Sequence, residues 1–218
     1  MGCEPGSIGR VACNAKGNAR SMNRKRRFAC LTVAFGLFLT AVAVDLAVSQ
    51  SSDPKGTVEI LLGAVEALSK GSEDHADPAL TRKISQTIDV SGISQSCLQE
   101  TWQKIAEGEK QNFVGLFRQL LEEVAYPKSA KFFKNTKVEI EEVKLDGANA
   151  EVFTAVTHPE EGMVEVAYCL RLLQEKWLVE DVLLDGVSLV TDLRSQMQKI
   201  LREKSYEELK RRMREKLD

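Results

Sequence analysis

The residues that could do chemistry are few. His75 and His158 are the only histidines, and they fall in two different polar loops with no cysteine nearby. A zinc site needs three or four convergent ligands, so this pattern argues against a metal centre. Ser188 follows Gly186-Val187, but a nucleophile elbow needs G-x-S-x-G and a histidine base. Ser188 suits a helix N-cap better. Glu180 and Asp181 are adjacent carboxylates. Neighbours on a strand point to opposite faces, so as an acid–base pair they would not converge on one substrate. Asp181, in phase with Trp177 and Val179, is expected to accept hydrogen bonds from backbone or arginine, as a buried carboxylate must. No glycine-rich phosphate loop is present. These residues offer neither catalysis nor a cofactor site, and point instead to an exported α+β domain with an apolar interior.

The 218 residues are 43% hydrophobic and 28% charged, an ordinary globular composition with enough length for a real core. Charge is distributed unevenly. Residues 1–49 carry seven basic and two acidic side chains, whereas residues 50–218 carry 23 basic and 30 acidic, a net charge of −7. A domain that acidic is a poor partner for nucleic acid, because phosphate neutralisation needs a basic surface.

Arg24 to Arg27 is a basic cluster, followed by an uncharged run over residues 28–44. A basic start, an apolar run and small residues after it form a Sec-type export signal. Cleavage is expected after Ala41-Val42-Ala43 or, preferably, after Ala47-Val48-Ser49, with Met22 as the true start. Residues 1–49 then form the leader and residues 50–218 the mature domain. The alternative is an uncleaved inner-membrane anchor, since seventeen residues lie at the short limit for a span. Cys30 stands at the front of the apolar run rather than after it, which argues against a lipoprotein. Cys97 and Cys169 remain in the mature chain; two separate buried thiols are expected there in preference to a bridge.

The elements that must position any site follow from periodicity. Helices are predicted from about Pro54 to Lys70, from Pro78, over Leu98–Ala106 with Trp102 and Ile105 on one side, and from near Glu109, where Phe113, Leu116, Phe117, Leu120, Leu121 and Val124 form a stripe. Tyr126-Pro127 interrupts the last of these, so a kink or break is expected. From Thr136 the period changes to two. Val138 and Ile140, then Ala150, Val152, Thr154 and Val156, then Val164, Val166, Tyr168, Leu170 and Leu172 alternate with other side chains. With Trp177–Leu184 they read as a four-stranded antiparallel meander. Two helices close the chain, the first capped by Ser188, the second carrying Lys210, Arg211, Arg212, Arg214 and Lys216 as a solvated face. The fold class is a single α+β domain.

Trp177-x-Val179-x-Asp181-Val182, then Gly186-Val187-Ser188-Leu189, then Arg194-Ser195-Gln196 resembles the C-terminal signature of the MlaC family. These are toluene-tolerance-type auxiliary substrate-binding proteins of ABC transport systems. Asp89, Leu98, Trp102, Phe113, Phe117 and Tyr126 fall in the family's order upstream. Two positions depart from it: Gln99 stands where the family usually has glycine, and Pro127 where a small residue is common. The resemblance implies a non-enzymatic periplasmic phospholipid carrier, shuttling between an outer-membrane lipoprotein complex and an inner-membrane ABC transporter complex with its substrate-binding membrane subunit. It also implies a cone of helices and sheet with acyl chains in an apolar cavity between them. That pocket would be lined by Trp102, Phe113, Phe117, Val138, Ile140, Val152, Val156, Val164, Val166, Tyr168, Leu170, Val182 and Val187. The ligand class stays open between phospholipid and another amphiphile such as a hopanoid. Periodicity alone favours a filled core, since large cavities are uncommon in packed interiors, and such a chain would be an exported protein-interaction module; the resemblance favours the cavity.

Overall fold

Short acidic and hydroxylic side chains fix where the helices begin. The computed structural model describes residues 53–71, 76–160 and 162–218. The expected leader, its apolar run at 28–44 and His75 lie outside them. Asp53 accepts from Gly56 N at 2.8 Å and opens α1 (Pro54–Ser69). Asp77 accepts from Ala79 N at 2.8 Å and opens α2 (Pro78–Ser85). Both helices carry proline in the first turn, where no intrahelical donor is lost. Asp89 accepts from Gly92 N at 2.8 Å and opens α3 (Val90–Leu98). A Cβ at position 92 would stand 2.1 Å from Asp89 Oδ2, so a larger residue there would require the capping carboxylate to turn. The short α4 (Glu100–Lys104) leads into α5 (Glu107–Leu120). None of the described helices is long and apolar enough to cross a membrane.

Pro127 does not break the chain that follows. The helix widens into a π-helical stretch over Leu121–Ala125 and resumes as α6 (Tyr126–Phe132). Tyr126 N donates to Leu121 O, five residues back. Proline lacks a donor and crowds the carbonyl four residues earlier; one wider turn just before it absorbs that mismatch.

The sheet has five antiparallel strands in sequential order, β1 (Lys137–Asp146), β2 (Asn149–His158), β3 (Gly162–Leu173), β4 (Lys176–Leu184) and β5 (Val187–Ser188). The expected four-stranded meander gains β5 because Asp185 and Gly186 both adopt positive φ, +47° and +79°. That is the backbone of a two-residue hairpin, and it returns Val187 opposite Leu184. Two β-bulges alter the expected alternation, one between Ile140 and Glu142 and one at Glu180. Leu170 pairs with Val179 but Tyr168 pairs with Val182, so Val179 and Val182 share the helix-facing side although three positions apart. Asp181 pairs with Cys169 and lies on the opposite side from Val179. This corrects the expectation that Asp181 shares the Trp177-Val179 face: the extra residue of a bulge shifts the phase.

The edges of the sheet are closed or charged. Asp89 N donates to Val179 O at 2.9 Å and Val179 N to Thr87 O at 2.8 Å, so the segment around Ile88 runs parallel to β4. At the other edge β1 carries Lys137, Glu139, Glu141, Glu142 and Lys144, which discourage further pairing. The chain ends with α7 (Leu189–Glu203) and α8 (Tyr206–Arg214).

Gln99, between α3 and α4, sits at φ +50°, ψ −120°, a region that side chains with a Cβ rarely enter. Gln99→Gly is expected to stabilise the fold by about 1 kcal/mol and to raise Tm by about 2–4 °C. Thermal unfolding checks this, and a lower Tm would contradict it.

Candidate functional site

The helix-facing side of the sheet is almost wholly apolar and almost wholly hidden. Val152 and Val156 are fully buried, and Val164, Val166, Tyr168 and Leu170 lie beside them within one core cluster. Val138, Ile140 and Val182 are half-buried against the same cluster. The covering layer is Val58, Leu61, Ala64, Val65 and Leu68 of α1, Ile84 of α2, and Tyr126 and Ala130 of α6. Thr57 at the start of α1 donates to Trp177 O at 3.3 Å and ties this layer to β4.

Four other expected pocket residues lie elsewhere. Phe113 and Phe117 of α5 belong to a second cluster, with α3, α7 and α8 residues such as Leu98, Met197, Leu209 and Met213. Trp102 packs against that second cluster. The Phe113 ring lies 6.3 Å from Phe117 and 6.1 Å from Tyr206. Val187, on the β4–β5 hairpin, is 63% exposed. Half-buried Ile88 and Leu121 touch both clusters and mark the seam between them.

Between the covering layer and solvent lies a cavity of about 40 Å³, lined by Leu68, Ser69 and Gly71 at the end of α1, by Ala76, and by Pro127, Ala130, Lys131 and Lys134. No strand residue lines that cavity, and the sheet face itself is covered by protein atoms. The sequence gives no warning of a polar contact set into this layer. Ser85 Oγ donates to Glu122 Oε1 at 2.6 Å and lies 3.3 Å from Tyr126 Oη. Burial pushes the Tyr126 phenol up to about 12, and its hydrogen bond with Ser85 works against that rise.

The signature residues of the C-terminal corner act as fasteners. Asp181 Oδ2 accepts from Ser188 Oγ at 2.5 Å, while its Oδ1 accepts from Val182 N at 2.8 Å and Val190 N at 3.1 Å. Ser188 Oγ in turn accepts from Thr191 N at 2.9 Å. The two side chains together cap α7, as the backbone-acceptor reading of Asp181 anticipated. Glu180 pairs with Arg171 at 2.5 Å on the outer side of the sheet, so the bulge brings the two acids nearer than simple alternation allows. Burial raises the Glu180 carboxyl, an effect that Arg171 opposes. Arg194 donates to Ser96 Oγ at 2.5 Å and Gln198 to Cys97 O at 2.7 Å, which pins α7 along α3.

Cys97 is a free, fully buried thiol pushed up to about 11 by desolvation, so no bridge joins it to Cys169. Cys169, buried on β3, is itself not a free thiol, which departs from the expected pair of thiols. The basic helix face also departs in part. Lys210 is buried, with Nζ 2.8 Å from Glu109 of α5 and 2.9 Å from Glu207. Arg211 pairs with Glu208 and Glu215, and Arg212 with Glu208. Helical spacing placed Lys210 among solvated neighbours because the facing carboxylate comes from a distant part of the chain.

Among the described residues no three His, Cys, Asp or Glu side chains converge as metal ligands. What the arrangement offers is an extended apolar wall behind a helical cover. The family model described as MlaC protein matches residues 57–215. No curated protein matches the sequence. Among solved structures, the fold is similar to that of a phospholipid-binding protein from Ralstonia solanacearum, determined in complex with a phospholipid. The two agree with a TM-score of 0.63 at 18% identity, over 77% of this chain and 95% of that one.

Asp181→Ala removes the acceptor that joins β4, Ser188 and the first turn of α7. It is expected to cost about 1–2 kcal/mol, and Ser188→Ala about 1 kcal/mol. Both should appear as lower denaturant midpoints with unchanged slopes; a neutral Asp181→Ala would contradict the fastening role.

Proposed function

We propose that this chain, which belongs to the MlaC family, carries phospholipid by sheltering its acyl chains between the inner sheet face and the layer of α1, α2 and α6. The observation that carries this reading is the continuous apolar wall from Val138 on β1 to Val182 on β4, in a fold shared with a protein that holds a phospholipid. The wall residues proposed for contact are Val138, Ile140, Val152, Val156, Val164, Val166, Tyr168, Leu170 and Val182. Trp102, Phe113 and Phe117 are assigned instead to holding the second cluster rigid, and Val187 to the outer surface.

Burial of an acyl chain is worth about 0.8 kcal/mol per methylene. A sixteen-carbon chain thus draws on the order of 12 kcal/mol from leaving water, and a carrier must match most of that to compete with a bilayer. In this structure the wall is buried beneath the helical cover, so loading requires the cover to move away from it. Such motion is less costly here than in most cores, because the lipid replaces the contacts that the cover gives up.

The protein then acts by binding and release, with no bond made or broken. Its proposed setting is the periplasm, reached through the leader in residues 1–49. Its proposed partners are an outer-membrane lipoprotein complex that delivers or receives lipid, and an inner-membrane ABC transporter complex with a substrate-binding membrane subunit. The second reading, an interaction module with a permanently filled core, is favoured by the close burial of the wall in this structure.

Native mass spectrometry of protein purified from the periplasm separates the two. The wild type is expected to retain lipid, and Val152→Trp to lose it while keeping a cooperative fold. A wild type that is lipid-free after gentle purification, with Val152→Trp destabilised by the roughly 1–3 kcal/mol of an overpacked core, would favour the second reading.

A further inference from the structure

Lysines on the other helices are balanced close at hand: Lys55 pairs with Glu59, Lys70 with Glu66 and Lys104 with Glu100. One stretch breaks that rule. Residues 124–138 hold four lysines, Lys128, Lys131, Lys134 and Lys137, and no aspartate or glutamate, in a domain whose net charge is −7. Lys128, Lys131 and Lys134 recur every third residue along α6 and just past its end. Three and four residues to either side of Lys131 stand Lys128, Pro127, Lys134 and Asn135, none of which neutralises it. Like charges so spaced on a helix repel.

These lysines stand at an opening. Lys131 and Lys134 line the cavity together with Leu68, Pro127 and Ala130, and no carboxylate of the described residues lines it. Leu68 and Ala130 also belong to the buried cluster over the sheet wall, so a cationic rim meets the apolar layer there. The place is one end of the wall. Thr57, at the start of α1, is tied to Trp177 at the start of β4. Leu68 lies near the other end of α1, and Phe132 of α6 stacks on His158 at the end of β2, ring centroids 5.1 Å apart. Because β2 and β4 both pair antiparallel with β3, the start of β4 and the end of β2 are opposite ends of the sheet. The dipole at the end of α6 favours a lysine nearby, but it does not ask for an opening into the apolar layer beside two of them.

Resting on the proposed carriage of lipid, we infer that Lys131 and Lys134 receive the phosphate of the phospholipid headgroup, while the acyl chains pass between Leu68 and Ala130 to the wall. The lining asks for an amphiphile, anionic where it meets the lysines and apolar behind them. Lysine binds phosphate as a point charge on a flexible stem, which suits headgroups of different size built on the same phosphate. A domain with a net charge of −7 repels anionic lipid as a whole, and this stretch reverses that repulsion where the lipid enters. The contact also sets the lipid's direction, with the headgroup at the α6 end and the chain ends toward Trp177.

The test compares wild type, Lys131→Gln/Lys134→Gln and a control, Lys199→Gln/Lys204→Gln, which removes the same charge from exposed positions on α7 and at its C-cap. Each displaces a bound fluorescent phospholipid with phosphatidylglycerol or with diacylglycerol of the same acyl chains. Wild type and control are expected to prefer phosphatidylglycerol about five- to tenfold, and less so at high salt. Lys131→Gln/Lys134→Gln should bind the two lipids nearly alike, with an unchanged Tm. A wild type without the preference, an α6 variant that keeps it, or a control that loses it equally overturns the inference and leaves the carrier reading standing. Inorganic phosphate is expected to displace nothing at concentrations where phosphatidylglycerol does; displacement would assign the lysines to free phosphate and overturn the headgroup role. If the wild type takes up neither lipid nor the fluorescent probe, the carrier reading itself falls, and this inference with it.

Discussion

The inner face of the sheet must be kept from water at every moment, and the rest of the structure follows from how that is arranged. Val152, Val156, Val166 and Leu170 are hidden almost completely, and among the described residues the helical side chains buried with them come from α1, α2 and α6. A wall of that size cannot be left bare, since each exposed aliphatic side chain costs about 1.5–3 kcal/mol relative to burial. If the chain carries lipid as proposed, acyl methylenes and the helical cover are two alternative ways of meeting the same demand, and exchange between them needs no state in which the wall is wet.

Such an exchange is useful only if the wall itself stays in place. Under the proposed function that role falls to the second cluster. Phe113, Phe117, Leu209 and Met213 join α5 to α8, Lys210 reaches across to Glu109, and Arg194 and Gln198 hold α7 against α3. The Asp181 and Ser188 cap then fastens this helical body to β4, and the Thr87–Asp89 segment fastens it again at the sheet edge. Ile88 and Leu121, which touch both clusters, mark the line along which a moving cover would meet a fixed body. The π-helical stretch at Leu121–Ala125 lies on that line. Stretches of this kind are common where helices serve a function, and here one accommodates Pro127 just as the chain passes from the fixed cluster to the cover.

Much of the fold was legible in the sequence. Period two from Thr136 onward, and the Asp146-Gly147 turn, mark the meander because strand alternation and turn chemistry are local properties. The N-cap at Ser188 is local as well. What escaped was set by non-local geometry. The bulge at Glu180 has no signature of its own, so strict alternation placed Asp181 on the wrong side while Val182 still belonged to the wall. Trp102, Phe113 and Phe117 show the same apolar stripe whichever cluster they enter, and only the tertiary fold assigns them to the second. Lys210 looked like its exposed neighbours because Glu109, its partner, lies far back in the chain. Gln99 is the converse case: the departure from glycine was visible in the sequence, and the structure supplies its consequence as a strained backbone at φ +50°.

The central claim is that acyl chains occupy the sheet-facing cluster and not the helical one. A phospholipid with a photoactivatable diazirine in its acyl chain, bound to the full-length mature protein, irradiated and mapped by peptide mass spectrometry, tests this directly. The account predicts adducts on the inner faces of β2 and β3 and on α1 and α6. Adducts concentrated on α5, α7 and α8 around Phe113 and Met213, or confined to exposed positions such as Met163 and Val187, would contradict it.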